Sequence, residues 1–201
     1  MPHILGSIIR LQVQRSPLKT GEKPHRVYDP GPIASVERLR LSADGSVGLM
    51  DGHEILDVHH KGHLQTRNDR PEKALSVGFA GHYTEMQQRY GPHMVPGCAG
   101  ENILVDARRR IGLDEIAAGL VVLSPGGEER VRLSQVCVAH PCKPFSGFAH
   151  RHQTVEPETL KATLQFMDEG TRGFRCVPEV TGETEIRIGD LVAVVEMSSE
   201  Q

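Results

Sequence analysis

Tryptophan is absent from these 201 residues, and five Phe with three Tyr make up the whole aromatic complement. A core drawn from this composition must be mostly aliphatic, since few large rings are available to fill it. No run approaches the roughly eighteen consecutive apolar residues of a membrane-spanning helix, so no membrane partner is expected. A basic excess is missing too: 23 Lys and Arg stand against 26 Asp and Glu, for a formal net charge of -3. Nucleic acid is therefore not an expected partner, because such binding leaves a cationic footprint. The four cysteines, Cys98, Cys137, Cys142 and Cys176, contain no C-x-x-C pair, and the Cys137 to Cys142 interval is not a zinc-knuckle spacing; a structural zinc is not expected. The opening MPHILGSIIRLQVQR has neither a basic start nor a long apolar stretch, which predicts a cytoplasmic, reducing location with free thiols.

Present in quantity are 21 Gly, 13 Pro and 11 His. The glycine and proline predict short strands broken by many turns. Ile4 to Val13 reads as an opening strand ended by Ser16-Pro17, and Val36 to Leu41 as a half-wet strand turning at Asp44-Gly45 into a hairpin partner at Ser46 to Met50. Glu54 to Val58 and Leu75 to Phe79 are further strands, and His82 to Tyr90 is a helix closed by Gly91-Pro92. Strands follow at Asn102 to Val105, at Leu120 to Leu123 and at Val131 to Val138. The last two are joined through Pro125-Gly126-Gly127 as a hairpin. Glu156 to Glu169 is the strongest helix, with Pro157 in its first turn, Leu160, Leu164 and Met167 on one face and Gly170 at its end. Phe174 to Val180 and Leu191 to Glu196 complete the pattern. About ten short strands, two convincing helices and no repeat or linker predict one mainly-β domain over 1–201, a partly closed barrel.

Three segments offer chemistry. In VCVAHPCKPF, Cys142 follows a strand in a loop stiffened by Pro141 and Pro144 and flanked by His140 and Lys143. Nearby positive charge favours a thiolate, the form that attacks electrophiles, carries a persulfide or ligates a soft metal; a structural thiol in a turn is the alternative. In GCAGENILV, Gly100 lets a backbone approach a ligand closely, beside Glu101 and the Asn102 amide. The third segment, DVHHKGH, holds Asp57, His59, His60 and His63. Gly62 and the missing glutamate general base set it apart from a catalytic zinc motif, and solvated loop histidines are the simpler reading. Lys61, Arg67 and Arg70 nearby are candidates for a small phosphate cup.

The order GENI, hairpin, HPC-x-PF, helix, G-T-R-G-F and I-x-x-G-D-x-V resembles the MOSC domain, the C-terminal domain of molybdenum cofactor sulfurases that also occurs in stand-alone bacterial proteins. The resemblance runs from about Leu5 to Val195 and implies a β-rich, barrel-like fold. It further implies a molybdenum-pterin cofactor, with Cys142 matching the signature cysteine that ligates molybdenum or carries a persulfide. The loop of Gly100, Glu101 and Asn102, with His140, would line the cofactor pocket, and Lys61, Arg67 and Arg70 would hold its phosphate. Two departures stand out: Gly62-His63 replaces a Gly-Gly pair, and His140 replaces an arginine before Pro-Cys. No pyridoxal-phosphate domain is present, so PLP is not expected on this chain. The activity implied is reduction of a small N-hydroxylated substrate with electrons from a partner reductase, since the cysteines lack iron-sulfur spacing. The alternative is a non-enzymatic sulfur carrier serving a donor or acceptor protein through a Cys142 persulfide, or a cofactor-binding module.

Overall fold

The computed structural model describes residues 3–66 and 74–195. The elements in chain order are β1 (His3–Gln14), β2 (Lys19–Thr20), β3 (Val27–Tyr28), β4 (Ile33–Val36), β5 (Arg38–Ser42), β6 (Gly45–Met50), β7 (His53–Leu56), β8 (Leu75–Phe79), α1 (Ala80–Tyr90), β9 (Ile103–Val105), α2 (Leu113–Ile116), β10 (Leu120–Leu123), β11 (Glu129–Val138), α3 (Lys143–Ala149), α4 (Pro157–Phe166), β12 (Phe174–Glu179), β13 (Thr184–Arg187) and β14 (Leu191–Val194). Both expected hairpins form. β5 pairs with β6 through Leu41↔Ser46 and Ser42↔Gly45, with Gly45 at a φ of 122°. β10 pairs with β11 across a bulge.

The barrel is fully closed. Seven strands run in the order β14, β10, β11, β12, β8, β9, β1, and β14 pairs again with β1, while β4 extends the sheet beyond β1. Closure depends on β1, which at 12 residues is long enough to serve three partners in turn. His3 to Ser7 pair with β14, Ile8 to Leu11 with β9, and Leu11 to Gln14 with β4, with register shifts at Ile4/Gly6 and Ile8/Arg10. Each shift bends the strand and raises its twist, which a barrel wall needs. Gly6 is required at the first, because a side chain there would meet the Asp106 carbonyl oxygen at 2.6 Å. Among the described residues only β8 and β9 are parallel, connected through α1 as a crossover must be.

The core matches the composition. The barrel is filled by residues such as Ile8, Leu11, Leu75, Val77, Ile103, Leu120, Val122 and Leu133, with Phe79 and Phe174 its only rings. The other six aromatics lie in or against a second cluster: Tyr28, Tyr83 and Phe145 are buried in it, and Tyr90, Phe148 and Phe166 pack on it. This second cluster joins α1, α3 and α4 to the β3 ribbon. The strongest expected helix ends earlier than Glu169, and Met167–Thr171 continue it as a π-helical turn. Gly170 there has a φ of 86°, and a side chain would strike the Phe174 ring at 2.5 Å.

Candidate functional site

A cavity of about 440 Å³ opens where the end of β1, the β2–β3 ribbon, the histidine loop, the exit of β11 and the start of β12 meet. Its size falls within the roughly 300–1,000 Å³ of small-molecule sites. Among the described residues, Lys19, Arg26, Arg172 and Arg175 line it, together with His59, His140 and a single acidic residue, Glu101. Four permanent cations therefore converge in a protein whose net charge is -3.

The guanidinium groups are held but not saturated. Arg172 donates from Nη1 to the His140 carbonyl at 2.8 Å and lies over the Phe145 ring at 5.1 Å. Arg175 donates a long bond to the Val138 carbonyl, 3.4 Å. The Nε groups of Arg26, Arg172 and Arg175 are buried without a hydrogen-bond partner among the described residues. Unpaired buried donors are costly, by about 1–3 kcal/mol each or more when charged. A phosphate or other oxyanion supplies the acceptors they lack.

Cys142 sits one turn beyond that wall. Ala139 and His140 line the cavity, and the chain continues through Pro141 to Cys142, which takes extended backbone as the N-cap of α3. The segment after the thiol is thus a helix rather than a loop: Pro144 occupies the first turn, where a missing N–H costs nothing, and Ser146 N–H donates to the Cys142 carbonyl at 3.0 Å. The thiol is half-buried against the aromatic cluster. Burial pushes the Tyr28 phenol well up, and a charge on Cys98, Glu101 or Cys142 pushes it in the same sense against Arg172. All four cysteines are free. Burial drives Cys98 and Cys176 far above the ordinary thiol range, whereas Cys137 and Cys142 are only partly buried.

The GENI loop divides its labour. Gly100, at a φ of 85°, and Glu101 line the cavity, but the Asn102 amide points inward and is fully committed. Its oxygen accepts from Ser76 N and Oγ, both at 3.1 Å; its Nδ2 donates to the Gln12 carbonyl at 3.2 Å and to Asp57 Oδ2 at 3.1 Å. Asn102 is a clamp behind the wall. Glu101 lies over Gly78, whose missing side chain makes room for it. Both its oxygens are buried without a hydrogen-bond partner among the described residues, and burial raises its pKa against the pull of Tyr83, Arg172 and Arg10.

Of the phosphate candidates read from the sequence, Lys61 lies away from the cavity wall, 3.9 Å from Asp44 and mostly exposed, because the turn after His60 directs it outward. Arg67 and Arg70 lie outside the described residues. Among the described residues, the cations in the cavity come from the β2–β3 region and from TRGFR at the start of β12. That segment was visible within the G-T-R-G-F motif, but its arginines had no assigned role. Among the described residues, no three His, Cys, Asp or Glu side chains converge as metal donors.

A family model of the MOSC domain matches residues 57–193. The YuaD protein of Bacillus subtilis is similar in structure, with a TM-score of 0.50 at 14% identity, covering 95% of this chain and 93% of that one. A solved structure described only as a hypothetical protein gives 0.53 at 13% identity over 98% and 70%. YiiM from Geobacillus stearothermophilus gives 0.49 at 14% over 98% and 76%. At these identities the likeness concerns the fold alone. No curated protein sequence matches the chain.

Proposed function

The chain belongs to the MOSC domain family, which is linked to molybdenum-cofactor binding, and on that premise we propose that the cavity binds a molybdenum-pterin cofactor with Cys142 as the metal's protein ligand. The unpaired guanidinium donors of Arg26, Arg172 and Arg175 carry this reading. With Lys19 they fit a phosphate end, and the free, half-buried thiol at the edge of the same wall fits a soft metal. When bound, the cofactor would supply two-electron redox chemistry. The residues of this chain bind and orient it: the arginines neutralise the phosphate, Phe145 supports Arg172 from beneath, and Tyr28 and Leu18 exclude water from one side. The reaction proposed is reduction of an N-hydroxylated base, with electrons from a separate reductase.

Protein produced in a host that makes molybdopterin tests this. Molybdenum near one equivalent, lost in Cys142→Ala, is the expected result, and Arg172→Met should lose pterin together with metal. The free, only partly buried state of Cys142 favours a second reading, a persulfide carrier. A trappable persulfide on Cys142, with no molybdenum or pterin in wild type, would replace the first reading by the second.

A further inference from the structure

The histidine loop contains one imidazole unlike its neighbours. His60 Nδ1 accepts from Gly62 N–H at 3.0 Å and His63 Nδ1 from Gln65 N–H at 3.1 Å, so both rings serve as local loop caps. His59 is reversed. Its Nδ1 faces Asp57 Oδ1 at 2.9 Å, and its ring lines the arginine-rich cavity. Asp57 is 0% exposed and receives three further donors: His59 N–H at 2.9 Å, Gln14 N–H at 2.8 Å and Asn102 Nδ2 at 3.1 Å. With three fixed N–H donors already on its two oxygens, Asp57 is built as an acceptor, and an acceptor facing Nδ1 favours the His59 proton there. Nε2 then carries the lone pair, with no hydrogen-bond partner among the described residues, on a residue that lines the cavity.

We propose that Asp57 and His59 form a proton-transfer dyad acting on the ligand held by Arg26, Arg172 and Arg175. His59 Nε2 takes a proton from an acidic X–H of the ligand, X keeping the electron pair, or returns it; Asp57 is the positioning residue and stabilises the imidazolium. Asn102 holds Asp57 in place, which explains why its amide is turned away from the cavity. Resting on the function proposed above, the dyad has a defined task. Reduction of R–NHOH to R–NH2 and water consumes two electrons from the external reductase and two protons, and His59 delivers one proton to the departing oxygen.

The test has two arms. In the full-length protein without cofactor, nitrogen-15 spectra of labelled histidine, with the His59 signals assigned by their loss in His59→Gln, should show protonated Nδ1 and bare Nε2. Inorganic pyrophosphate should shift the Nε2 signal, and Asp57→Asn should abolish the tautomer preference. An Nε2-protonated ring, or an Nε2 signal indifferent to pyrophosphate, overturns the dyad. In cofactor-loaded protein, His59→Gln should lower kcat on an N-hydroxylated base by about a hundred-fold with KM little changed; an unchanged kcat overturns the role. If loaded wild type reduces no such base, the proposed function falls, and the spectral arm still decides the dyad.

Discussion

His82 offers the sharpest quantitative test of the fold behind the cavity. It lies on α1 with 0% exposure, its Nε2 is 3.1 Å from both the carbonyl and the N–H of Ile111, and its Nδ1 has no partner among the described residues. Burial lowers its pKa from 6.5 to about 4, despite the bond to the Ile111 backbone. A histidine depressed in the folded state stays neutral there while the unfolded chain takes up the proton. The stability it lends is therefore complete above pH 6.5 and drains away as pH falls toward 4. At pH 5 the loss is about 2 kcal/mol, roughly 4–8 °C in Tm for a chain of this size. Urea melts of wild type and His82→Gln at pH 8 and pH 5 isolate it, since Gln can face the Ile111 backbone without titrating. The stability difference should shift against wild type by that amount on acidification. A difference equal at both pH values would refute the buried neutral imidazole. The consequence reaches the site, because the His82 ring packs at 6.1 Å on Phe174, a wall of the cavity.

Glu101 carries the opposite sign: its raised pKa costs nothing below the ordinary carboxylate range, and the cost grows as pH rises toward the folded value. Glu101→Gln should therefore gain on wild type in denaturant melts between pH 4 and 7, and a constant difference would contradict the burial argument. Gly81→Ala should cost about 1–3 kcal/mol in the same melts, because a Cβ there would sit 2.3 Å from the Arg109 carbonyl oxygen, and a neutral result would show that the 108–110 loop yields.

What was legible in the sequence follows what is local. Asp44-Gly45 and Pro125-Gly126-Gly127 marked their hairpins because turn chemistry is written in adjacent residues. The same holds for the helix ending at Tyr90, followed by Gly91 at a φ of 106°. Barrel closure was not legible: Ile4 pairs with Ala193 across nearly the whole chain, and alternation along β1 carries no information about its partner. The helix after Cys142 was obscured because Pro141 and Pro144 read as loop stiffeners, although the second proline sits comfortably in a first turn. Lys61 lies off the cavity wall for a related reason, while Arg67 and Arg70 fall outside the described residues. Lys61, Arg67 and Arg70 were chosen because they are neighbours in sequence, whereas a cavity in a closed barrel is lined by whatever strand ends share one rim.

The rim itself explains which residues arrive there. β12 pairs with β11 and β8, setting Phe174 opposite Val138 on one side and Val77 on the other, so Phe174 is drawn inward. Gly173, at a φ of 109° and 2.7 Å from the Val77 carbonyl at a built Cβ, admits no side chain. The chain must turn there, and that turn brings Arg172 beside the His140 carbonyl while the strand beyond places Arg175 on the same wall. The scarce aromatics complete the arrangement. Phe145 backs Arg172, and Tyr28 packs edge-on against Phe145 at 4.9 Å while donating to the Cys98 carbonyl at 2.8 Å. A chain poor in rings has placed six of its eight in or against the cluster that Cys142 packs on, and left the barrel mostly to aliphatic packing.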